Sequence, residues 1–303
     1  MAYLHENKDQ FTEALNLAVF KTGLGPEIIE KDYYVTMILK KLSEQFEYAV
    51  FKGGTSLQKC YRVISRFSED IDITVDEILS QGQKKKLKYG IVGIAKELKL
   101  EIPNIEDTKS RRDYNRYELT YDSVPNRPTG VVKPSVLLET SFSEISFPTV
   151  ALPVHSYMGD LYEMEAPAML ELYQLDVFSM KVQSLERTMI DKVFALCDYY
   201  MQGNVRRHSR HLYDIFKLYP LVTMDETFHG LVKEVREVRS KNAICPSAMP
   251  GVDVSKLLRE IESRGVYKED YKVLTVRSLN ESVSYEDTLS VVRKIVESGF
   301  FGE

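Results

Sequence analysis

The sequence has few of the features that mark secreted, disulfide-rich or membrane-spanning proteins. Its three cysteines, Cys60, Cys197 and Cys245, are far apart and odd in number, and no Cys-x-x-Cys pair occurs. This pattern disfavours a disulfide framework or a structural zinc site and predicts a reduced, cytoplasmic compartment. No apolar run approaches the ~18 residues that span a bilayer, and the first residues lack the basic and apolar regions of a signal peptide. We therefore expect no membrane partner.

The sequence also has no excess of basic residues. Lys and Arg number 40 against 45 Asp and Glu, which gives a net charge of −5 and a pI near 5.7. A protein that binds nucleic acid over its whole surface is usually basic, so any RNA contact is expected from a local patch. With 303 residues, 44% of them hydrophobic, the chain can fold as one large domain or two ordinary ones.

The first informative segment is an apolar run at 49–51 that ends at a glycine pair. This order predicts a strand followed by a turn. Gly53 and Gly54 accept a positive φ and let a ligand approach the backbone closely. Thr55 or Ser56 can cap a helix that begins there, and free N–H groups at a helix start suit a phosphate. We therefore predict that Gly53, Gly54, Thr55 and Ser56 bind a nucleotide.

A pair of aspartates follows, in which Asp70 and Asp72 alternate with Ile71 and Ile73. Residues two apart in a strand share a face, so both carboxylates are expected on one side and the isoleucines in the core. Two such carboxylates repel unless a cation lies between them, and Mg²⁺ commonly takes one or two carboxylates together with substrate phosphates. A phosphate-binding turn beside a Mg²⁺ (or Mn²⁺) site suggests phosphoryl or nucleotidyl transfer.

Two other interpretations use the same residues. A lone Asp-x-Asp is usually a solvated strand edge. The run 70–74 also fits the Asp-x-Asp-x-Thr loop of haloacid-dehalogenase-type (HAD-like) phosphatases. In those enzymes the first Asp follows a buried apolar strand, whereas residues 66–69 here are largely polar. The phosphatase is therefore the weaker hypothesis.

The segment from Phe51 to Ile73 resembles the nucleotidyltransferase motif of the AbiEii/AbiGii-type toxins, the toxin half of type IV toxin–antitoxin pairs. The MenT toxins are relatives, and the wider superfamily is that of DNA polymerase β. The resemblance implies an α+β fold: a polymerase-β-type nucleotidyltransferase domain with a mixed sheet flanked by helices (residues 1–180), then a mostly helical C-terminal domain (181–303). It also implies a metal-dependent transferase that uses a nucleoside triphosphate (NTP).

The same superfamily takes a third metal-binding carboxylate from a neighbouring strand. Glu139 lies inside the apolar run 135–142, where an isolated charge would be costly to bury. The resemblance therefore implies a metal site of Asp70, Asp72 and Glu139. An ion pair between Glu139 and Arg62, Arg66 or Lys133 is the alternative.

Two segments of the second region also resemble the family. Residues 191–195 resemble its Glu-Lys-Leu-x-Ala segment, and 210–214 resemble its Arg-Asp-Leu-Tyr-Asp segment with His211 in place of the first Asp. The match implies that Lys192 binds triphosphate and that Asp214 belongs to the catalytic constellation, where it could orient Lys192 or Arg210. For Lys192 alone, a surface lysine with a partly buried stem is the simpler interpretation.

Two basic segments are candidates for RNA contact. Arg206, Arg207 and Arg210 form the most basic cluster and are the first choice, although a solvated helix end would look the same. The lysines at 84–88 lie in a predicted helix, where such a run is normally a solvated face; binding of nucleic-acid phosphates is the alternative.

Two further segments leave alternatives open. Lys31 and Asp32, in a predicted helix, form a surface ion pair in the simpler interpretation; in the other, Lys31 reaches the cleft. Residues 144–180, with several prolines, are predicted to be an irregular joint with short strands.

Together these features predict a nucleotidyltransferase toxin of a type IV toxin–antitoxin (abortive infection, phage defence) system. It would transfer a nucleoside monophosphate (NMP) from an NTP to an acceptor, with the 3′ end of a tRNA as the expected RNA acceptor. A cognate antitoxin is the expected partner. The alternative from another class is a non-catalytic nucleotide-binding or antitoxin-interacting protein on the same fold.

Overall fold

The computed structural model describes residues 2–124 and 132–302, and these form two compact units. The first unit contains residues 1–61, 68–145 and 149–182, and the second contains 62–67, 146–148 and 183–303. A division of the sequence at residue 180 assigns the two short segments 62–67 and 146–148 to the first domain. By their contacts they belong to the second unit.

The first unit is built on a six-stranded mixed sheet with the order β3-β4-β2-β1-β6-β5. The strands are β1 (Ala49–Lys52), β2 (Ile71–Val75), β3 (Tyr114–Thr120), β4 (Ser135–Ile145), β5 (Thr149–Val154) and β6 (Phe178–Gln183). β1 pairs antiparallel with β2 and parallel with β6. β4 pairs parallel with β2 and antiparallel with β3.

Six helices accompany this sheet: α1 (Lys8–Thr22), α2 (Pro26–Gln45), α3 (Gly53–Lys59), α4 (Gln81–Glu97), α5 (Tyr157–Glu165) and α6 (Ala168–Tyr173). Their apolar faces and the inward strand residues form one core, which includes Phe11, Ile38, Ile71, Ile73 and Leu138. This architecture confirms the predicted α+β fold with a mixed sheet flanked by helices. Within 144–180, the predicted short strands occur as β5 and the start of β6, but the prediction missed the helices α5 and α6.

The second unit is helical among its described residues. Its helices are α7 (Leu185–Met201), α8 (Arg210–Leu218), α9 (Glu226–Ser240), α10 (Val254–Ser263), α11 (Lys268–Asp270), α12 (Val276–Ser278) and α13 (Tyr285–Ser298). A π-helical stretch, Tyr271–Thr275, joins α11 to α12. α7 begins where the Ser184 side chain accepts a hydrogen bond from the N–H of Arg187, an N-cap that satisfies a donor at the helix start.

The short segment Arg62–Phe67 is held within the second unit by strand-like pairing. Arg66 forms an isolated antiparallel bridge with Leu279. The Phe67 N–H donates to the Ser278 carbonyl at 3.1 Å, and the Asn280 N–H donates to the Ser65 carbonyl at 2.8 Å. This pairing fixes the position of the Arg66 side chain. Over the described ranges of both units, no helix combines the length and apolar character needed to cross a membrane.

Candidate active site

The glycine turn places backbone directly against one of the predicted catalytic carboxylates. α3 begins at Gly53, whose φ is +80°. A Cβ at this position would lie 2.0 Å from Asp72 Oδ2, which is far inside van der Waals contact. Glycine is therefore required at position 53 for two reasons: the backbone conformation and the close approach of Asp72.

The hydroxyl groups that follow the glycines have internal partners. Ser56 Oγ donates to the Gly53 carbonyl at 2.9 Å, and Thr55 Oγ1 lies 2.9 Å from Ser68 Oγ. The prediction that Thr55 or Ser56 caps the helix was wrong: the N-cap is Lys52, which makes no side-chain cap hydrogen bond. The hydroxyls stiffen the turn instead. The half-buried Gly53 and Gly54 thus offer backbone N–H groups at a helix start without a side-chain cap.

The aspartate pair lies at the centre of the sheet. Asp72 is in β2 and Asp70 immediately precedes it, while Ile71 and Ile73 are buried. The alternation of half-buried carboxylate and buried isoleucine is as predicted. In the sheet register, Asp72 is opposite Lys52 on β1 and opposite Glu139 on β4. Because β2 and β4 are adjacent and parallel, Asp72 and Glu139 point to the same face of the sheet.

Glu139 has an ion-pair partner on β3. Arg116 is its register neighbour, and Arg116 Nε lies 3.7 Å from Glu139 Oε1. Burial, together with the nearby negative charge of Glu139, raises the pKa of Tyr114 to about 12. The partners of Glu139 that the sequence suggests, Arg62, Arg66 and Lys133, are replaced by Arg116.

These three half-buried carboxylates are the donors that a bound cation would use. Carboxylate oxygens suit a hard divalent cation such as Mg²⁺, which commonly takes one or two carboxylates and completes its shell with water and substrate phosphates. Within residues 2–124 and 132–302, no group of three or more His, Cys, Asp or Glu side chains is close enough to hold a metal ion. The donor set therefore fits a cation that shares its shell with a substrate, not one held by protein ligands alone.

The residues just before Asp70 are held by two contacts. The buried Lys31 ammonium of α2 forms an ion pair with Glu69, and Ser68 is bound by Thr55. The neighbouring Asp32 accepts hydrogen bonds from Lys59 and from the backbone N–H of Tyr157. The simple prediction of a surface ion pair between Lys31 and Asp32 was therefore wrong, because each is buried or half-buried with a separate partner.

In the second unit, Asp214 lies at the centre of an ion triad. Arg66 donates to both oxygens of Asp214, from Nε at 2.7 Å and from Nη2 at 2.8 Å. Lys192 Nζ of α7 lies 2.6 Å from Asp214 Oδ2. The carboxylate is 0% exposed, and two-point binding by arginine is among the strongest ion-pair geometries. Asp214 thus orients Lys192 directly, and the Lys192 ammonium is buried, not a surface group.

Burial and the neighbouring charges shift the pKa values of Asp214 and Lys192. Burial alone would raise the pKa of Asp214, but Arg66 and Lys192 together lower it well below its usual range, so the carboxylate is ionised. Burial and the neighbouring guanidinium of Arg66 lower the pKa of Lys192, against the attraction of Asp214. Asp214 thus pairs with both cationic side chains of the triad.

His211, which replaces the family's Asp, lies beside this triad. Burial and the charges of Lys192 and Arg210 lower its pKa well below the usual range, so the imidazole is neutral. Its ring lies 5.8 Å from Tyr199 and 6.0 Å from His208 in near-parallel stacks. Its Nδ1 is buried and has no hydrogen-bond partner in the part of the chain that the structure describes.

Arg206, Arg207 and Arg210 are all exposed, but acidic groups lie next to them. Asp270 accepts the backbone N–H of Arg207 at 2.8 Å. Arg206 lines a cavity of about 420 Å³ together with Glu269 and Asp270. The role of this cluster in RNA binding stays a prediction.

The sequence model of the AbiEii nucleotidyltransferase toxins of type IV toxin–antitoxin systems matches residues 38–286. The chain belongs to this family. It is therefore a nucleotidyltransferase toxin, and the match spans both the carboxylates of the first unit and the triad of the second. Family membership implies a nucleotide substrate and an antitoxin partner.

Comparison with solved structures gives the same fold. The structure is similar to MenT4, a nucleotidyltransferase toxin from Mycobacterium tuberculosis H37Rv, with a TM-score of 0.56 and 17% sequence identity. The similarity covers 94% of this chain and 88% of MenT4. No curated protein sequence matches the chain significantly.

Arg66 is the residue of the second unit that sequence reasoning misplaced. The sequence suggests Arg66 only as a possible partner of Glu139, whereas the structure pairs it with Asp214. Its position just before the Asp-x-Asp segment was the available signal, but nothing in that position named Asp214 as the partner.

Proposed function

We propose that this toxin uses Mg²⁺ to transfer an NMP from an NTP to the 3′ end of an RNA, with tRNA as the acceptor. The observation that carries the proposal is the sheet register of the first unit. It aligns Asp72 with Glu139 on adjacent strands, beside the glycine turn at Gly53.

The proposed reaction is a single in-line displacement. The 3′-hydroxyl oxygen of the RNA forms a bond to the α-phosphorus of the NTP. The bond from the α-phosphorus to the bridging oxygen breaks, pyrophosphate leaves, and the hydroxyl proton passes to water. When bound, Mg²⁺ would supply charge neutralisation for the entering and leaving oxygens.

The chain's own residues have separate tasks in this proposal. Asp70, Asp72 and Glu139 would supply the carboxylate oxygens for the cation, one or two of them at a time, with substrate phosphates completing its shell. The backbone N–H groups of Gly53 and Gly54 would bind phosphate oxygens, while Thr55 and Ser56 keep the turn rigid. Fixed donors of this kind stabilise developing charge without rearranging during the reaction.

In the second unit we propose that Lys192 neutralises triphosphate charge and that Asp214 is its positioning residue. The geometry supports this proposal because the buried Lys192 ammonium is fixed by Asp214, with Nζ 2.6 Å from Oδ2. Arg66 binds both oxygens of Asp214 and would hold this carboxylate in place while Lys192 contacts the triphosphate.

The test is incubation of purified protein with each α-³²P-labelled NTP, Mg²⁺ and total cellular RNA, followed by a denaturing gel. We expect label on a tRNA-sized band, its loss with EDTA, and a preference for one nucleotide. Asp70→Ala should abolish the label while circular dichroism shows an intact fold. If this variant keeps full activity, the assignment of Asp70 is wrong. Label on the protein, or on no species at all, would contradict transfer to RNA.

A further inference from the structure

The lysine run of α4 is part of a larger basic surface. Residues 81–96 include Lys84, Lys85, Lys86, Lys88 and Lys96 and contain no carboxylate. A second basic segment, residues 109–116, lies just before and within β3 and includes Lys109, Arg111, Arg112 and Arg116, with Asp113 as its one acid. Sequence separation hides that these two segments are neighbours.

Two hydrogen bonds join the segments. Lys84 Nζ lies 2.5 Å from Asp113 Oδ1, and Lys88 Nζ donates to the Thr108 carbonyl at 2.8 Å. The one acid of the second segment is therefore neutralised by α4 itself. The acids just before it, Glu106 and Asp107, are also exposed. The two segments together contain nine Lys and Arg residues against these two acids and Asp113, so the surface as a whole keeps a positive excess.

The charges that remain point into solvent next to exposed rings. Lys85, Arg111 and Arg112 are exposed, and none of the three forms an ion pair with a carboxylate of residues 2–124 or 132–302. Tyr89 is 61% exposed and Tyr114 is 53% exposed. Lys85 Nζ lies 5.7 Å from the centre of the Tyr89 ring. We call this set, Lys85, Tyr89, Arg111, Arg112 and Tyr114, the α4–β3 surface.

Cationic side chains between exposed aromatic rings suit one class of ligand in particular. Single-stranded nucleic acid binds to proteins through phosphate contacts with Lys and Arg and through stacking of bases on aromatic rings. A folded acidic protein would need charge complementarity, but it would not need two exposed tyrosine rings separated by basic residues. The chemistry of the surface therefore favours a nucleic-acid strand.

The surface runs into the carboxylates of the candidate active site. Tyr114 lies on β3 two residues before Arg116, which is the register neighbour of Glu139, and Glu139 is in turn the register neighbour of Asp72. A strand that follows the surface from Arg111 to Tyr114 therefore ends at the carboxylates, where a terminal hydroxyl would have to react. By contrast, the Arg206–Arg210 cluster has Glu269 and Asp270 beside it.

We propose that the α4–β3 surface binds the single-stranded 3′ end of the RNA acceptor and leads it to Asp72 and Glu139. This proposal rests on the proposed function of those carboxylates. It places acceptor binding on the first unit, whereas the sequence favoured the arginines of the second.

The experiment measures binding without catalysis. The triple variant Lys85→Gln/Arg111→Gln/Arg112→Gln is compared with wild type for binding of fluorescent bulk tRNA and of a fluorescent 20-nucleotide oligouridylate, by anisotropy over a range of salt. Because each phosphate contact contributes about 0.7 to the salt slope of a single strand, the slope should fall by about 2. Affinity at low salt should fall at least about tenfold.

Two controls make the result specific. Lys96→Gln removes an exposed lysine from the last turn of the same helix and should bind both RNAs within about twofold of wild type. Arg206→Gln/Arg207→Gln tests the other basic cluster and should weaken binding less than the triple variant. Thermal shift with Mg²⁺ and each NTP should be unchanged in all variants, since none of the substituted residues belongs to the carboxylate site.

The outcomes distinguish a failure of the proposed RNA-binding surface from a failure of the proposed transfer reaction. Unchanged RNA binding in the triple variant overturns the proposed surface, whether or not transfer occurs, and would assign these charges to an acidic protein partner. A larger loss in Arg206→Gln/Arg207→Gln overturns it as well. Weaker RNA binding in the triple variant, together with no transfer by wild type to any RNA, supports the surface and contradicts the proposed reaction.

Discussion

The two units of this toxin treat their charged residues in opposite ways. In the first unit Asp70, Asp72 and Glu139 are half-buried carboxylates on the face of a sheet. In the second, Asp214 is fully buried and is held by Arg66 and Lys192. The carboxylates of the first unit keep contact with solvent, whereas the carboxylate of the second is enclosed by two cationic side chains.

This difference predicts that substitutions in the two groups of residues have different effects on activity and on stability. A half-buried carboxylate contributes little to folding, because solvent screens its interactions with its neighbours. A buried carboxylate between two cations is essential to folding, because its removal leaves both cations buried without a counter-charge. We therefore expect the first group to control the reaction and the second to control stability as well.

The largest expected effect is the loss of activity in Asp72→Asn. The amide keeps the shape of the side chain but removes the charge that a cation needs, so transfer should fall on the order of a thousandfold. The free energy of unfolding should change by less than about 1 kcal/mol. Label transfer and urea denaturation measure the two quantities on the same preparation.

Asp76→Asn is the matched control for that variant. Asp76 follows the same strand and pairs with Lys181 at 2.6 Å on the surface, an interaction worth less than about 1 kcal/mol. Its activity should stay within about twofold of wild type. Comparable losses in both variants would show that the charge of the region, and not the Asp72 site, controls the reaction.

The second variant, Asp214→Asn, tests the other side of the comparison. Removing one partner from a buried ion pair costs about 3–5 kcal/mol, so we expect a large fall in melting temperature. Lys192→Met should cost less, because the two-point Arg66–Asp214 pair remains intact. If Asp214→Asn melts like wild type, the triad does not stabilise the second unit.

The pH dependence of stability tests whether Asp214 is ionised in the folded protein. The pKa of folded Asp214 is lowered below its unfolded value, so its contribution is fully present above pH ~4 and is lost as the pH falls further. The difference in unfolding free energy between wild type and Asp214→Asn should therefore be constant near neutrality and shrink below pH ~4. A difference that grows on acidification would contradict an ionised Asp214.

Local pattern was sufficient to predict the first group of residues. The alternation from Asp70 to Ile73 places carboxylates and isoleucines on opposite faces, and a strand has only two faces. The glycine pair after an apolar run was likewise sufficient to predict a turn. The helix cap was wrong because Thr55 and Ser56 have better partners inside the fold, at Ser68 and Gly53, and local sequence does not reveal such partners.

The pairings of the second group depend on tertiary structure. Arg66 and Asp214 are 148 residues apart in the chain, and only the pairing of 65–67 with 278–280 brings the arginine into place. Likewise, α5 and α6 are short, 9 and 6 residues, and lie among prolines that resemble loop signals. Ser156, which caps α5 by accepting from the Gly159 N–H, was the local signal that could have revealed the first of them.

A third pair of variants separates backbone strain from contact with the catalytic carboxylate. Gly53 and Gly203 both have a positive φ, +80° and +68°, but only at Gly53 would a Cβ meet another group. Each change to Ala should cost about 1 kcal/mol of stability from the left-handed backbone. Only Gly53→Ala should displace Asp72, and a displacement of that size can lower turnover about a hundredfold.

Measurement of kcat and of unfolding in urea for both glycine variants decides the matter. Loss of activity in Gly53→Ala alone, while both variants remain folded under the assay conditions, would tie the turn to the reaction through Asp72. If Gly203→Ala loses activity to the same extent, the effect arises from general destabilisation and the contact at Gly53 has no special role.

The smallest expected effect concerns His211, the position at which this chain departs from its family. The imidazole is buried and neutral beside Lys192 and Arg210, so it neither supplies a charge to the triad nor titrates near neutral pH. His211→Asp should keep activity within a few-fold and leave the pH–activity profile between 6 and 8 without a new step. A tenfold gain in activity would instead show that a carboxylate at this position assists the reaction and that the histidine lowers the activity of this toxin.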